Sequence, residues 1–128
     1  MATDWTKTSF HRLKDKSPSD APMQWKMARD ALGTRELGVS RFTYEPAARM
    51  PFGHRHREQE EVYVVVGGAG HAKLDDEIVE LATWDVLRVS PHVWRSFAAG
   101  PEGLDLLCVG GRRPAGGDTE RAPGFWAD

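Results

Sequence analysis

The stretch His54-Arg55-His56-Arg57-Glu58-Gln59-Glu60-Glu61, running on into Val62-Tyr63-Val64-Val65-Val66-Gly67-Gly68-Ala69-Gly70, decides how this chain is read. Its second half is rich in β-branched and aromatic residues, which pack well on a pleated surface, and it predicts a strand. Side chains on a strand alternate between faces, so His54 and His56 point the same way. Two imidazoles and a carboxylate form a ligand set for Zn, Fe(II), Mn or Ni, and in its three-residue version the set leaves positions open for water or substrate. Two glutamates compete for the carboxylate role. Strict alternation from His56 selects Glu60, whereas the polar Arg57-Glu58-Gln59 reads as a turn that resets the register and admits Glu61.

Further along that strand, Val62, Val64 and Val66 lie on one face, and Tyr63 and Val65 on the other. A strand that is apolar on both faces is covered on both. One cover is the interior of the fold. The N-terminal segment or a second copy of the chain supplies the other, and a homodimer is expected as the commonest closed assembly.

Working outward, Leu37–Tyr44 alternates as a strand, and Pro46–Pro51 is a turn-rich connection. Met23–Leu32 fits a strand at its start and a helical turn at its end. Gly67–Gly70 reads as a glycine turn. His71–Leu74 and Ile78–Leu81 form a hairpin around the acidic Asp75-Asp76-Glu77. Val86–Val89, Trp94–Ala98 and Leu104–Val109 complete a series of short strands, and turns every eight to twelve residues or so argue for an all-β sandwich or barrel. Three segments follow: an N-terminal arm (1–35) that packs on the barrel or on a partner subunit, a barrel (36–110), and a C-terminal tail (111–128), rich in Gly, Pro and charge and pinned by Phe125 and Trp126.

The chain has 128 residues, enough for one domain with one core. Its formal net charge is −2 with the two signs interspersed, so neither a nucleic-acid groove nor an anionic membrane is an expected partner. The longest apolar run, Val62–Val66, is far too short to span a bilayer. Met1-Ala2-Thr3-Asp4-Trp5-Thr6-Lys7 has no apolar core of a signal peptide, and Cys108 is the only cysteine, so a cytoplasmic protein without an intrachain disulfide is expected. Cys108, inside Leu106-Leu107-Cys108-Val109, reads as a small core residue rather than a nucleophile. His11, His71 and His92 read as arm, strand-edge and turn residues. Trp84 and Trp94 read as packing residues of the core or its rim.

Taken together, HRHREQEEVYVVVGGAG (54–70) and WDVLRVSPHVWRSF (84–97) resemble the two motifs of the cupin superfamily. The resemblance covers about residues 36–110 and is to small single-barrel cupins. It implies an antiparallel double-stranded β-helix, or jelly-roll barrel. The family pattern of glutamate, aromatic residue and spaced glycines fits Glu61, Tyr63, Gly68 and Gly70, and so favours Glu61 over Glu60. It implies metal ligation by His54, His56 and Glu61, with a further histidine from the second motif. Here Arg95 stands at that place and Trp84 stands where the motif has glycine. Arginine keeps its proton and cannot ligate. Aimed inward, it pairs with Glu61 or with the carboxylate of a ligand. Tyr63, if inward, offers a phenol to a bound ligand.

Two functions follow from this reading. One is a metal-dependent small-molecule enzyme, an oxygenase or isomerase, in which Fe, Mn, Ni or Zn sits on His54, His56 and Glu61 while Arg95 and Tyr63 bind a small polar or acidic substrate. The other is a non-catalytic binding module that uses the same pocket without metal.

Overall fold

The valine strand is longer than its apolar core suggests. β4 runs from Glu61 to Leu74 without a break and carries the sheet past Gly67–Gly70. The glycines that read as a turn are the site of two register shifts against the neighbouring strand, and Gly68 adopts φ 70° there. A residue with positive φ inserted in a ladder bends and twists the strand but does not reverse it. This bend lets one strand serve two sides of a barrel. In this computed structural model, which describes residues 4–127, strand accounts for 52% and helix for 6%, so the chain is all-β. Residues 1–3, where the reading of the N-terminus begins, lie outside the described residues.

The other strands are β1 (Met23–Met27), β2 (Gly38–Tyr44), β3 (Phe52–His56), β5 (Glu77–Ala82), β6 (Val86–Val89), β7 (Arg95–Gly110) and β8 (Thr119–Pro123). All pair antiparallel in one curled sheet. β7 is its spine, bonded to β2, β3 and β4, and the path β1-β2-β7-β3-β8 completes one side. Trp94–Ala98 and Leu104–Val109, which read as two strands, belong to one strand, β7, whose residues 100–103 bulge opposite Ala69 of β4 before the pairing resumes. Met23–Leu32 does divide as its pattern suggests, into β1 and a single helical turn, α1 (Arg29–Leu32). The arm contributes β1 to the sheet edge beside β2.

The tail corrects the reading further. Residues 119–123 form β8, which pairs with β3 from Phe52↔Pro123 to His56↔Thr119. Its sequence, Thr-Glu-Arg-Ala-Pro, is polar and ends in proline, so no local signal marks it. Pairing with the histidine strand makes it a strand. Phe125 closes the turn after it against Gly53, where any side chain would collide with the ring.

Alternation then fixes the core. Phe42, Tyr44, Tyr63, Val65, Leu81, Val89, Phe97, Leu104, Leu106 and Cys108 face inward and are buried. Neighbours across antiparallel strands share a face, so Glu61 lies in a row with Gly110 and Val89, and Tyr63 in a row with Cys108 and Leu87. The Asp75-Asp76 turn between Leu74 and Glu77 is the expected hairpin tip. Trp84 departs from its packing reading. It is 71% exposed and holds φ 74°, a left-handed conformation that suits the glycine expected from the resemblance.

Candidate metal centre and cavity

β3 sets the two histidines. His54 and His56 are both on its inner face, with rings 5.2 Å apart and nearly perpendicular. Glu61 opens β4 beside them. Its Oε1 lies 3.6 Å from His54 Nε2 and 3.3 Å from His56 Nε2. One donor atom from each of the three residues lies within 4.8 Å of the others, a cluster compatible with a metal site. Glu60 points outward and is exposed, 3.7 Å from Arg88. The turn at Arg57–Gln59 does reset the register, and Glu61 is the inward glutamate.

Behind Glu61 the wall is closed. Arg95 is fully buried and donates Nη1 to Glu61 Oε1 at 2.8 Å. Its remaining donors go to backbone carbonyls of Ser90, Pro91 and Val93. Tyr63 donates its hydroxyl to the same Oε1 at 2.5 Å, and the Cys108 thiol lies 3.3 Å from Oε2. The pairing of Arg95 with Glu61 follows from the cost of an unpaired buried guanidinium. It also means that Arg95 and Tyr63, expected to touch substrate, sit behind Glu61 and are absent from the cavity lining.

The cavity side differs. His56 is buried, and its Nε2 makes no hydrogen bond, although Glu61 Oε1 lies 3.3 Å away. Its Nδ1 faces Asp118 Oδ1 at 2.9 Å. A carboxylate there accepts the hydrogen bond of Nδ1–H, and the neutral ring then keeps its lone pair on Nε2, the form in which histidine binds a metal. Asp118 is itself held by Gln59 Nε2 at 2.7 Å and by the backbone N–H groups of Glu58 and Gln59. One tail residue thus fixes both the ring of His56 and the turn before Glu61. Asp118 escapes the sequence reading. Gly116-Gly117-Asp118 marks a turn, but nothing local connects it to a histidine 62 residues earlier.

Burial and the neighbouring charges set how the cluster titrates. Burial pushes the Glu61 carboxyl up, but His54 and His56 outweigh it and hold Glu61 well below the usual carboxylate range. Burial pulls His54 below the ordinary histidine value, and Glu61 only partly offsets it. Burial acts the same way on His56, but Glu61 and Asp118 prevail and raise it. Burial and the Glu61 carboxylate push the Tyr63 hydroxyl and the Cys108 thiol well above their normal ranges. Both stay protonated as hydrogen-bond donors, which suits the core reading of Cys108. His11, His71 and His92 are exposed and away from the cluster.

The cluster forms the floor of a cavity of about 360 Å³. Trp25, Met27, Phe42, Met50 and Phe52 supply apolar walls, and Gln59 and Thr119 flank the histidines. β8, the unexpected strand, contributes Thr119 and Arg121 to this lining.

Residues 40–110, more than half of the chain, match the family model of the cupin domain. The chain belongs to the cupin family. Among solved structures, this cupin is similar to a cupin protein from Bacteroides fragilis, at 26% identity over 79% of this chain and 85% of that one, with a TM-score of 0.65. It is also similar to the polyketide cyclase RemF from Streptomyces resistomycificus, at 16% identity over 92% and 84% of the two chains, with a TM-score of 0.71. A third similar structure is PAC13 from Streptomyces with uridine, at 14% identity over 91% and 89%, with a TM-score of 0.72. At those identities the last two speak for the fold alone. No curated protein matches the chain. Among the described residues, no helix is long and apolar enough to cross a membrane.

Proposed function

We propose that this cupin is a metal-dependent small-molecule enzyme, an oxygenase or isomerase, with His54, His56 and Glu61 as the ligands of a divalent Fe, Mn, Ni or Zn ion. The observation that carries this reading is His56 Nε2: buried, unpartnered, and aimed by Asp118. A buried polar atom without a partner is rare in native proteins and calls for one. Three ligands from the protein would leave positions open above the cavity floor. A metal bound there would supply Lewis acidity or a site for dioxygen.

The chain's own groups carry the rest. Glu61 enters as a carboxylate, fixed by Arg95 and Tyr63, which serve in this reading as positioning residues rather than as substrate contacts. The apolar walls hold the substrate against the histidines and exclude water. Trp84 and Val86, 71% and 67% exposed, together with Ile78, would be covered in the homodimer in which we expect this cupin to work.

A second reading has its own support. Glu61 Oε1 already accepts from Arg95 and Tyr63, so the carboxylate is satisfied without a cation. A metal-free binding module would use the same cavity. Elemental analysis of protein purified without a histidine tag separates the two. We expect close to one divalent metal per chain, and its loss in the folded double variant His54→Ala, His56→Ala. A wild-type protein that takes up no metal, or a double variant that keeps it, would end the metal-enzyme reading.

A further inference from the structure

We propose that the cavity takes a planar, mainly apolar organic anion, such as an aromatic carboxylate, and that Arg121 meets its charge. The proposal rests on the reading of this cavity as the small-molecule site, but it does not require the metal.

The argument begins with strand register. His54 pairs with Arg95 of β7 on one side and with Arg121 of β8 on the other. Directly paired residues of antiparallel strands put their side chains on the same face, so one row across the sheet reads arginine, histidine, arginine. The two guanidinium groups have different fates. Arg95 is fully buried and spends its donors on Glu61 and three carbonyls. Arg121 lines the cavity and has no carboxylate partner among the described residues. Its Cζ lies 4.5 Å over the ring of Phe52, another wall residue.

The rest of the lining shares this sign. Arg29 gives Nη2 to neutral acceptors, the Gln59 side chain and the Gly111 carbonyl. Arg113 stands 3.5 Å from Asp30 across an exposed, solvated pair. Among the described residues, Glu61 is the only acidic one of the lining, and its charge is already matched by Arg95. A concave site with several cations and one neutralised anion attracts anions. Arginine, planar and forked, binds a carboxylate through two parallel hydrogen bonds.

The walls indicate the body of the ligand. Trp25 stacks on Phe42 with centroids 5.5 Å apart and planes 27° from parallel. Phe52, under Arg121, gives another flat surface, and Met27 and Met50 fill between them with adaptable thioethers. A sugar phosphate would share the anionic group but bring a set of hydroxyls. The side chains that could meet them are few, and Gln59 is already committed to Asp118. The apolar anion is therefore the better match to the same cations.

Calorimetry with two isosteric probes, naphthalene-2-carboxylate and naphthalene-2-carboxamide, tests this. The wild type should bind the carboxylate at least about tenfold more tightly, the scale of one charge-assisted hydrogen bond. Arg121→Gln should bring the two affinities together by weakening only the carboxylate, and Arg88→Gln, at an exposed arginine outside the lining, should leave the preference in place. Thermal melts verify that each variant is folded. Equal binding of the two probes by wild type, a preference that survives Arg121→Gln, absence of saturable binding, or displacement of the naphthoate by a pentose phosphate at equal concentration would each overturn the proposal. The measurements are repeated on EDTA-treated protein, where the preference should persist. A preference without any metal uptake would fail only the enzyme reading. Metal uptake without a preference would fail only the present one.

Discussion

Glu61 has two sides, and they are built differently. On one stand Arg95, Tyr63 and Cys108, each donating to a carboxylate oxygen and each buried. On the other stand two imidazoles at 3.6 and 3.3 Å, one with a nitrogen that bonds to nothing. The satisfied side has no capacity left for a ligand, so its contribution is to hold the carboxylate in place. The unsatisfied side pays in stability for a lone pair kept free, a cost that structures tend to concentrate where they bind something. The contrast also clarifies the arginine that replaces a ligand histidine in the family pattern. It moved a ligand position into the scaffold and left the facing pair untouched.

The comparison can be broken most sharply from the satisfied side. Arg95→Met removes one half of a buried ion pair and leaves Glu61 uncompensated, so we expect a loss of about 3 to 5 kcal/mol in denaturant unfolding. A loss within ~0.5 kcal/mol, typical of an exposed site, would mean that Arg95 is not the support it resembles.

On the unsatisfied side, Asp118→Asn keeps the shape of the support but weakens its hold on the His56 tautomer. Divalent-metal affinity should fall by about 10- to 100-fold, as for other partners of ligating histidines. The same variant carries a pH signature. The Asp118 carboxyl is held below its ordinary 3.8 by His56 and Gln59, which outweigh burial, so its contribution is present above that pH and lost as pH falls. His56 is raised above 6.5, so its contribution is complete below that value and lost as pH rises through the raised one. The contact therefore supports the fold across an intermediate window. His54, depressed by burial, acts in the opposite sense near neutrality, so the informative curve is the difference between wild type and Asp118→Asn in metal-free protein. It should peak in weakly acidic solution, and a flat difference from pH 3 to pH 8 or so would remove Asp118 from the site.

The smallest effect lies far from Glu61 and serves as a control. Trp84 holds a left-handed conformation at an exposed turn. Trp84→Gly should raise stability by about 0.5 to 1 kcal/mol, the relief of that conformation less the added entropy of glycine, with metal affinity unchanged. Destabilisation would show that the indole is doing packing work that its exposure hides.

The histidine pair is legible in the sequence because it lies inside a short, patterned segment. His54 and His56 share a strand face by simple alternation. The turn at Arg57–Gln59 left Glu60 and Glu61 both open, and the resemblance to the family pattern favoured Glu61, the glutamate that faces inward. The cost of burying a guanidinium left an inward Arg95 with Glu61 or a ligand carboxylate as partner, and the fold supplies Glu61. What escaped depends on distant pairing. β8 has no strand composition, Asp118 gains its meaning from a ring brought to it by the fold, and the glycines at 67–70 bend a strand that its neighbour keeps continuous. Arg95 and Tyr63 were read as facing a ligand because alternation gives the face of a side chain and not the depth at which its polar end stops.

The last feature concerns time rather than geometry. Asp118, Thr119 and Arg121 complete a site whose histidines precede them by more than sixty residues. During synthesis the histidine pair emerges well before the strand that flanks it and the carboxylate that orients it. The nascent barrel must therefore hold an open seam along β3, with unpaired backbone groups and uncommitted imidazoles, until β8 has been made. Such a seam is a place where chaperones, premature metals or a second nascent chain can compete with β8.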